Sequence, residues 1–343
     1  MRAIRYLQPE KVRLDAVNKP EPSPEQVLLR VSHAGICGSD MTIYSGKHPR
    51  AKPPLILGHE FSGFILGHEF SGFIASHHPH YGEGTLVTVY PHRPCGCCAA
   101  CLRGLRHTCS RLKIIGIDED GGMADWAVVP QDAVYALPSG VSGALAAFAE
   151  PVSVGVHALR HGKFRLGDSA VIFGAGGIGL SIAITLRAFG AEKLLLCEPN
   201  EKRRKIAEEL GFALSGKDAP VQSILDFTGG DGADFVLDCA GHQSVADILP
   251  DAVRIGGSII MVAGYKTPPA FNFQKGMMRE FDIRFVRNSG RDDFVIACGL
   301  IQRGLGYERL LNCVLSPEEA RQGFDGPADA LKVLFDFSKE ADA

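Results

Sequence analysis

The sequence predicts a two-domain α/β protein, in which a doubly wound parallel sheet follows a β-rich domain. The chain has 343 residues, about twice the length of an average domain. Its first 150 or so residues are rich in Gly, Pro and short β-type runs, whereas strand-like and helix-like segments alternate from about residue 153. Such alternation indicates right-handed βαβ units and a parallel sheet.

The same pattern predicts the domain boundaries. We expect the β-rich domain to cover 1–153 and the parallel-sheet domain to cover 154–283. After residue 284 the alternation loosens, and ALKVLFDF near the carboxyl terminus predicts a closing strand. We therefore expect 284–343 to return to the first domain, which would make that domain discontinuous.

Individual elements follow from local hydrophobic patterns and turn residues. Strands are predicted at 26–36, 85–91, 170–176, 193–199, 235–241 and 258–264. Helices are predicted at 178–190, 201–211 and 244–256, and in the segments RDDFVIACGLIQRG and SPEEARQGF. In the last of these, Ser316 and Glu319 are placed as a capping box.

Composition excludes several classes of protein. Hydrophobic residues make up 45% and charged residues 22%, which is ordinary for a globular chain. The net charge of −3 offers no bulk electrostatic reason to bind nucleic acid. No apolar run approaches the roughly 18 residues that span a bilayer, and MRAIRYLQPE lacks the apolar segment of a signal peptide. We therefore expect a cytoplasmic protein with neither a nucleic acid nor a membrane as its partner.

Half of the ten cysteines are concentrated in one short segment. Cys95, Cys98, Cys101 and Cys109 have the spacing C-x2-C-x2-C-x7-C, and four such thiolates can close a tetrahedral shell around Zn²⁺. In a reducing compartment this density favours metal binding over disulfides. Cys97 falls out of phase, and we interpret it as a bystander. The segment predicts a structural zinc site.

The motif GAGGIG at 174–179 follows a predicted strand and opens a predicted helix, as a dinucleotide-binding loop does. Its glycines allow a tight turn and a close approach of pyrophosphate to the helix N-terminus. Glu198 ends the next strand, where a carboxylate can accept both ribose hydroxyls and repel a 2′-phosphate, which favours NAD over NADP. Arg203 and Arg204 lie near enough to Glu198 to keep NADP open. The candidate coenzyme-binding residues are Gly174, Gly176, Gly177, Ile178, Gly179, Glu198 and Arg203.

A second metal site is predicted from ligands on separated segments. Cys37 in GICGSD, the motif GHE and Glu150 in AEPVSVGVHA together offer one soft ligand and several harder ones. That mixture suits a catalytic Zn²⁺ with an open position for substrate.

The GHE motif occurs twice, because ILGHEFSGF at 56–64 is repeated letter for letter at 65–73. The candidate ligands are therefore His59 and Glu60, or His68 and Glu69. An insertion of an odd number of residues into a strand would turn every later side chain to the opposite face. The nine extra residues must therefore leave the strand as a loop. A loop beside the zinc disturbs more than one at a hairpin, and we therefore favour His59.

These motifs together resemble those of the zinc-containing medium-chain alcohol dehydrogenases. The resemblance rests on GICGSD, GHEFSG, the cysteine segment, DGGMADWAVVP, AEPVSVGVHA, GAGGIG and the terminal KVL, in family order from residue 1 to about 336. Within the superfamily the chain looks most like the sorbitol, galactitol-phosphate and sugar-acid dehydrogenase branch. The resemblance implies a GroES-like catalytic domain around a Rossmann domain, two zinc ions per chain, NAD, and a homodimer or homotetramer.

By resemblance, Cys37, the GHE histidine and an acidic residue hold the catalytic zinc. Both Glu60 and Glu150 remain open as that acid. Ser39 occupies the position whose hydroxyl passes on the substrate proton, and Asp40 would fix the tautomer of the ligating histidine.

One position departs from the family pattern. Thr42 stands where many relatives carry a relay histidine. Proton exit must then use Thr42, water or another group, for which the neighbouring His48 is a candidate.

The implied activity is the oxidation of a secondary alcohol to a ketone or ketose. Zn²⁺ lowers the pKa of a bound alcohol, and hydride passes to the nicotinamide C4. We expect a small-molecule substrate, either a polyol or a sugar acid. Two alternatives remain, an amino-acid alcohol dehydrogenase of the L-threonine 3-dehydrogenase type and a catalytically silent NAD-binding regulatory protein.

Overall fold

The computed structural model describes residues 1–65, 78–327 and 329–339. The chain divides into two compact units. Unit 1 consists of Met1–Pro151 and Gly290–Ala343, and unit 2 of Val152–Ser289. The second GHE motif, with His68 and Glu69, lies outside the described residues.

Within the described ranges the chain forms eighteen strands. They are β1 (Arg2–Gln8), β2 (Lys11–Ala16), β3 (Gln26–Gly35), β4 (Leu55–Ile56), β5 (Glu60–Ile65), β6 (Leu86–Val89), β7 (His92–Arg93), β8 (Lys113–Ile114), β9 (Trp126–Pro130), β10 (Val134–Ala136), β11 (Ala170–Phe173), β12 (Leu194–Cys197), β13 (Ala213–Leu214), β14 (Ala233–Asp238), β15 (Val253–Met261), β16 (Asp282–Phe285), β17 (Cys313–Leu315) and β18 (Val333–Asp336).

The same ranges contain twelve α-helices. They are α1 (Gly38–Tyr44), α2 (Ala99–Leu102), α3 (Gly143–Ala147), α4 (Ala149–Gly162), α5 (Gly177–Ala188), α6 (Glu201–Glu209), α7 (Pro220–Thr228), α8 (Gln243–Ala246), α9 (Leu249–Ala252), α10 (Phe273–Arg279), α11 (Arg291–Ile301) and α12 (Ala320–Phe324). Every one of these helices is too short or too polar to cross a membrane.

Unit 1 is built on a mostly antiparallel seven-stranded sheet. Its strand order is β10-β6-β5-β3-β18-β17, and β9 also pairs with β3. A three-stranded sheet, β2-β1-β4, and the β7-β8 pair complete its strands in the described ranges. Because β18 lies beside β3, the carboxyl-terminal segment belongs to the same sheet as the strand that precedes Cys37.

Unit 2 contains a six-stranded parallel sheet in the order β13-β12-β11-β14-β15-β16. The chain winds outward from β11 in one direction and then from β14 in the other. The strand order therefore reverses between β11 and β14, and in such sheets the ligand crevice lies at the carboxyl ends of those two strands. The predicted fold class, a β-rich domain plus a doubly wound parallel sheet, is confirmed.

The predicted helix at 244–256 is wrong. Two short helices, α8 and α9, take its first part, and residues from Val253 onward belong to β15. Pro250 lies in the first turn of α9, where its missing N–H costs nothing. Val253 pairs with Ala233 of β14, and this long-range pairing outweighs the local helical pattern.

Candidate metal and coenzyme sites

The four predicted zinc cysteines lie together in unit 1. The sulfur atoms of Cys95, Cys98, Cys101 and Cys109 are all within 4.8 Å of one another. Cys98 Sγ lies 3.5 Å from Cys101 Sγ and 3.7 Å from Cys109 Sγ. A Zn–S bond of about 2.3 Å in a tetrahedron places sulfur atoms about 3.8 Å apart. The arrangement therefore fits Zn²⁺ with four thiolate ligands.

Backbone N–H groups donate hydrogen bonds to sulfur atoms of this cluster. Backbone N–H groups of Cys95 and Arg111 each donate to Cys109 Sγ at 3.3 Å. Backbone donors from Cys101 and Ser110 lower the pKa of Cys98 to about 5. Since a metal ligand must be deprotonated, the lowered pKa of Cys98 favours metal binding, whereas burial raises the pKa of Cys101 to about 12.

Cys97 belongs to the same segment but lies outside the cluster of four sulfur atoms. Its side chain is exposed, and its sulfur accepts a hydrogen bond from Arg111 Nη2 at 2.8 Å. Cys97 Sγ lies 3.9 Å from Cys95 Sγ and is not one of the four clustered sulfur atoms.

A second cluster in unit 1 combines Cys37, His59 and Glu60. One ligand atom of each lies within 4.8 Å of the other two. Cys37 is the N-cap residue of α1, and Glu60 is the first residue of β5. The three side chains therefore come from the start of a helix and the start of a strand.

Backbone pairing explains why the GHE segment folds there. Gly121 N–H donates to Ile56, Gly122 N–H to Gly58 and Met123 N–H to Leu57, each at 2.9 Å. A Cβ on Gly121 would lie 2.2 Å from the Gly58 oxygen, so only glycine permits this approach. The glycines of DGGMADWAVVP thus allow the backbone of that segment to pack against the GHE segment.

Asp40 and Ser39 lie on opposite sides of the His59 ring. Asp40 is fully buried, and its Oδ1 is 3.7 Å from His59 Nδ1. Ser39 Oγ is 3.4 Å from His59 Nε2. Burial opposes a charged His59, but the negative charges of Asp40 and Cys37 raise its pKa well above 6.5. The negative side chains of the cluster therefore favour a positive charge among them, and a bound metal ion would supply that charge.

Lys332 begins the terminal KVL motif but is not among the predicted site residues, yet its ammonium contacts the Glu60 carboxylate directly. It also donates to the Ile36 carbonyl at 2.8 Å. Burial opposes the charge on Lys332, but Glu60 and Cys37 outweigh it and raise the pKa of the ammonium. Neither the KVL motif nor a lysine at the start of an apolar strand reveals a partner 272 residues away.

Glu150 also belongs to this group of charges. It is 6% exposed, and burial together with the Glu60 charge raises its pKa to about 7. The compact cluster of three ligand atoms contains Glu60 and not Glu150.

The two candidates for proton exit occupy different environments. Thr42 is exposed, and its hydroxyl donates to the Gly38 carbonyl one turn earlier in α1, at 3.0 Å. His48 is partly buried, and its Nδ1 accepts a hydrogen bond from Ala51 N–H at 3.1 Å. Burial and the charge of Arg50 lower the pKa of His48, while Asp118 and Asp40 act in the opposite direction.

In unit 2 the glycine-rich loop follows β11, and α5 begins at Gly177. Gly174 has φ +97°, and a Cβ on Gly179 would lie 1.9 Å from the Gly174 oxygen, so both positions require glycine. The space in front of Gly176 is open, because a Cβ at that position would have Arg203 Nη1, 3.9 Å away, as its nearest neighbour. That space at the N-terminus of a 12-residue helix fits a pyrophosphate.

A pocket of about 660 Å³ opens beside this loop. Glu198, Arg203 and Lys217 contribute to one part of its wall, and His242 and Val245 to another. The volume lies within the range of small-molecule and cofactor sites.

Glu198 is 5% exposed and holds the glycine-rich loop in place. Its Oε2 accepts from Ala175 N–H at 2.7 Å, and its Oε1 accepts from Asn200 N–H at 2.9 Å. Arg203 Nη1 lies 3.9 Å from Glu198 Oε2. The carboxylate thus has two backbone partners and an arginine at its edge.

Family models match most of both units. The model described as alcohol dehydrogenase GroES-like domain matches 23–139, and the model described as zinc-binding dehydrogenase matches 177–303.

Curated relatives match over most of their own length. The chain is 32% identical to the 2-dehydro-3-deoxy-L-galactonate 5-dehydrogenase of Pseudoalteromonas atlantica over 93% of this chain and 94% of that protein. It is 33% identical to the sorbitol dehydrogenase of Halalkalibacterium halodurans over 82% of this chain and 83% of that protein. It is 32% identical to the L-threonine 3-dehydrogenase of Pyrococcus abyssi over 75% of this chain and 74% of that protein.

Among solved structures, the chain is similar to a Sinorhizobium meliloti 1021 protein assigned as a zinc-binding dehydrogenase and bound to NADP. The TM-score is 0.89 and the identity 26%, with 98% of each chain covered. The chain belongs to the zinc-containing medium-chain alcohol dehydrogenase superfamily, as the motifs predicted. It is an enzyme of the zinc-dependent alcohol dehydrogenase family.

Proposed function

We propose that this enzyme oxidises a secondary alcohol of a polyol or sugar acid to a ketone, with NAD as its coenzyme. The grouping of Cys37, His59 and Glu60 within 4.8 Å carries this proposal. One thiolate, one imidazole and one carboxylate are a typical ligand set for a catalytic zinc that keeps a fourth position for substrate. The sugar-acid and sorbitol dehydrogenases among the relatives support the substrate class.

When bound, zinc polarises the substrate hydroxyl and NAD accepts the hydride. The residues of the chain hold and orient the groups around that chemistry. Asp40 faces Nδ1 of His59, so a proton on Nδ1 leaves Nε2 available as a ligand. Ser39 Oγ lies 3.4 Å from His59 Nε2, and its hydroxyl is our candidate for accepting the substrate proton.

The charges of the site fit this ligand set. Glu60 brings a buried negative charge and the partly buried Cys37 thiolate brings another, and Lys332 compensates one of them. Glu60 is our choice for the acidic ligand, because it lies in the three-ligand cluster. Glu150 remains the alternative, since it is buried and electrostatically coupled to Glu60.

A pair of substitutions tests which copy of the repeat supplies the ligand. We expect His59→Ala to abolish activity and remove one zinc ion per chain, while His68→Ala leaves both nearly unchanged. The opposite pattern would move the site to His68 and Glu69. If neither variant changes activity or zinc content, the catalytic-zinc proposal fails.

NAD is our proposed coenzyme because Glu198 lines the pocket and would bring its negative charge close to a 2′-phosphate. Arg203 at its edge favours NADP, and the NADP-bound relative keeps that alternative in view. We expect a kcat/KM for NAD at least about tenfold above that for NADP, and a smaller ratio in Glu198→Ala. Equal kcat/KM values in the unchanged enzyme would contradict the proposal.

L-Threonine is the second candidate substrate, because a similar relative is an L-threonine 3-dehydrogenase. A panel of polyols, sugar acids and L-threonine, assayed with NAD and NADP, separates the two candidates. Turnover of L-threonine alone would replace our proposal. Binding of NAD without turnover of any substrate would favour the silent regulatory protein.

We also propose that the enzyme is a homodimer or homotetramer of a reducing, cytoplasmic compartment. All ten cysteines are free thiols, as thiolate ligands require. Unit 2 exposes Phe273 and Met278 of α10, and Phe285 of the edge strand β16, to more than 70% each. Such apolar surface near a sheet edge favours association with a second copy of the chain. Sedimentation at micromolar concentration tests the oligomeric state, and a monomer would contradict the proposed dimer or tetramer.

A further inference from the structure

One wall of the nucleotide pocket is formed by the segment that follows β14. Cys239, Ala240, His242 and Val245 of this segment line the pocket. The segment begins at Asp238, the last residue of β14. The position of Asp238 therefore influences the shape of this wall.

Asp238 connects this segment to the one that follows β15. Asp238 is fully buried, and its Oδ1 accepts from Ala240 N–H at 2.9 Å and Gly241 N–H at 3.0 Å. Its other carboxylate oxygen, Oδ2, accepts from the Tyr265 hydroxyl at 2.5 Å. Its backbone carbonyl accepts from Val262 and Ala263 N–H. One residue thus joins both segments.

The two segments approach each other closely. A Cβ on Gly241, which has φ +63°, would lie 2.7 Å from the Gly264 oxygen. Further along, the Gln243 amide donates to the Ala270 carbonyl at 3.0 Å and accepts from Ala270 N–H at 2.9 Å. The wall is therefore attached to the second segment at two points, Tyr265 and Gln243.

Tyr265 does not line the pocket itself. It donates to a buried carboxylate whose side-chain hydrogen bonds otherwise come from the backbone of the wall. Losing that donor leaves Asp238 Oδ2 unsatisfied in a buried place, which is costly. The carboxylate would then rotate or shift, and the backbone groups of Ala240 and Gly241 bound to it would follow.

We propose that Tyr265 is a positioning residue for the coenzyme, because its hydrogen bond to Asp238 fixes the wall formed by 239–248. Gln243 has the same role at the other end of the contact. This inference rests on the proposed use of a pyridine nucleotide. The inference concerns the affinity of the pocket for the adenosine half of the coenzyme, which would lie against Glu198 and the glycine-rich loop.

The test measures binding of ADP-ribose and NADH by calorimetry, without substrate. ADP-ribose contains the adenosine, pyrophosphate and ribose groups that this pocket would hold but lacks the nicotinamide. We expect Tyr265→Phe to raise the Kd for both ligands about tenfold, because a wall that holds its binding position only about a tenth of the time weakens binding by that factor. The KM for coenzyme should rise with it, while kcat at saturating coenzyme stays within about twofold. Gln243→Leu should act in the same direction.

Thr228→Val is the matched control. Thr228 also uses its hydroxyl within unit 2, donating to Ile224 and accepting from Gly232 N–H, but it does not line the pocket. We expect it to lower Tm and leave the Kd for ADP-ribose unchanged.

Two results would overturn the inference, and they differ from each other. If the unchanged enzyme binds ADP-ribose but Tyr265→Phe lowers Tm without changing Kd, Tyr265 has only a structural role. If the unchanged enzyme binds neither NADH, NADPH nor ADP-ribose, the proposed function fails and this inference fails with it.

Discussion

Lys332 and Glu60 form a buried ion pair next to the candidate catalytic zinc ligands. Their side chains are 8% and 2% exposed. A buried carboxylate without a cation or metal is strongly unfavourable. The ammonium therefore balances part of the negative charge that Cys37 and Glu60 bring into unit 1.

We expect Lys332→Met to lower the free energy of unfolding by about 3 kcal/mol, because it leaves a buried carboxylate without its partner. Urea denaturation of the zinc-free protein measures this, because bound zinc would itself neutralise the Glu60 carboxylate. Lys275→Met is the control, since Lys275 and Asp251 form a pair with side chains 43% and 39% exposed. Its loss should stay below about 1 kcal/mol. Similar losses in the two variants would mean that Lys332 is not needed for charge balance.

At the scale of elements, the pairing of β18 with β3 brings the carboxyl-terminal segment to the site. Asp336 of β18 lies opposite His33 of β3, and His33 Nε2 is 3.8 Å from Asp336 Oδ1. Burial lowers the pKa of His33 below its usual 6.5, and the Asp336 charge offsets part of that effect. The folded state therefore favours the neutral imidazole.

This pKa shift predicts a dependence of stability on pH. Below pH 6.5 the unfolded chain protonates His33 more readily than the folded chain, so the free energy of unfolding falls as the pH falls. Well above pH 6.5 His33 is neutral in both states, and its contribution is constant. We expect His33→Gln to make the slope between pH 6.5 and pH 5 shallower in urea titrations.

His80→Gln is the control for this measurement, because His80 is an exposed histidine. Its slope should match that of the unchanged protein. A His33→Gln protein with the original slope would show that another group causes the loss of stability in acid.

At the scale of the whole molecule, the two metal clusters predict two zinc ions per chain. We expect Cys101→Ser to keep one zinc and to lose more than about 5 °C in Tm, because metal binding contributes directly to folding at such a site. Metal analysis and thermal unfolding measure these quantities. Cys97→Ser is the control and should keep both zinc ions and its Tm. A single zinc in the unchanged protein would contradict the assignment of the cysteine cluster.

The sequence by itself determined the features whose parts lie close together along the chain. The four clustered cysteines fall within fifteen residues, from Cys95 to Cys109, so their spacing alone limits the geometry. The glycine-rich loop was likewise predictable, because a strand, a tight turn and a helix N-terminus are local structures. The alternation of strands and helices was sufficient for the fold class.

Only the tertiary structure decided the contacts between distant segments. The strand at Val253 depends on pairing with β14, and it replaced a helix that local periodicity favoured. Lys332 reaches Glu60 because β18 joins the sheet beside β3, and Tyr265 reaches Asp238 because two loops meet beyond neighbouring parallel strands. Local sequence patterns carry propensity and periodicity. The partner of a buried charge or hydroxyl is set by long-range strand pairing, which leaves no signal of its own at either residue.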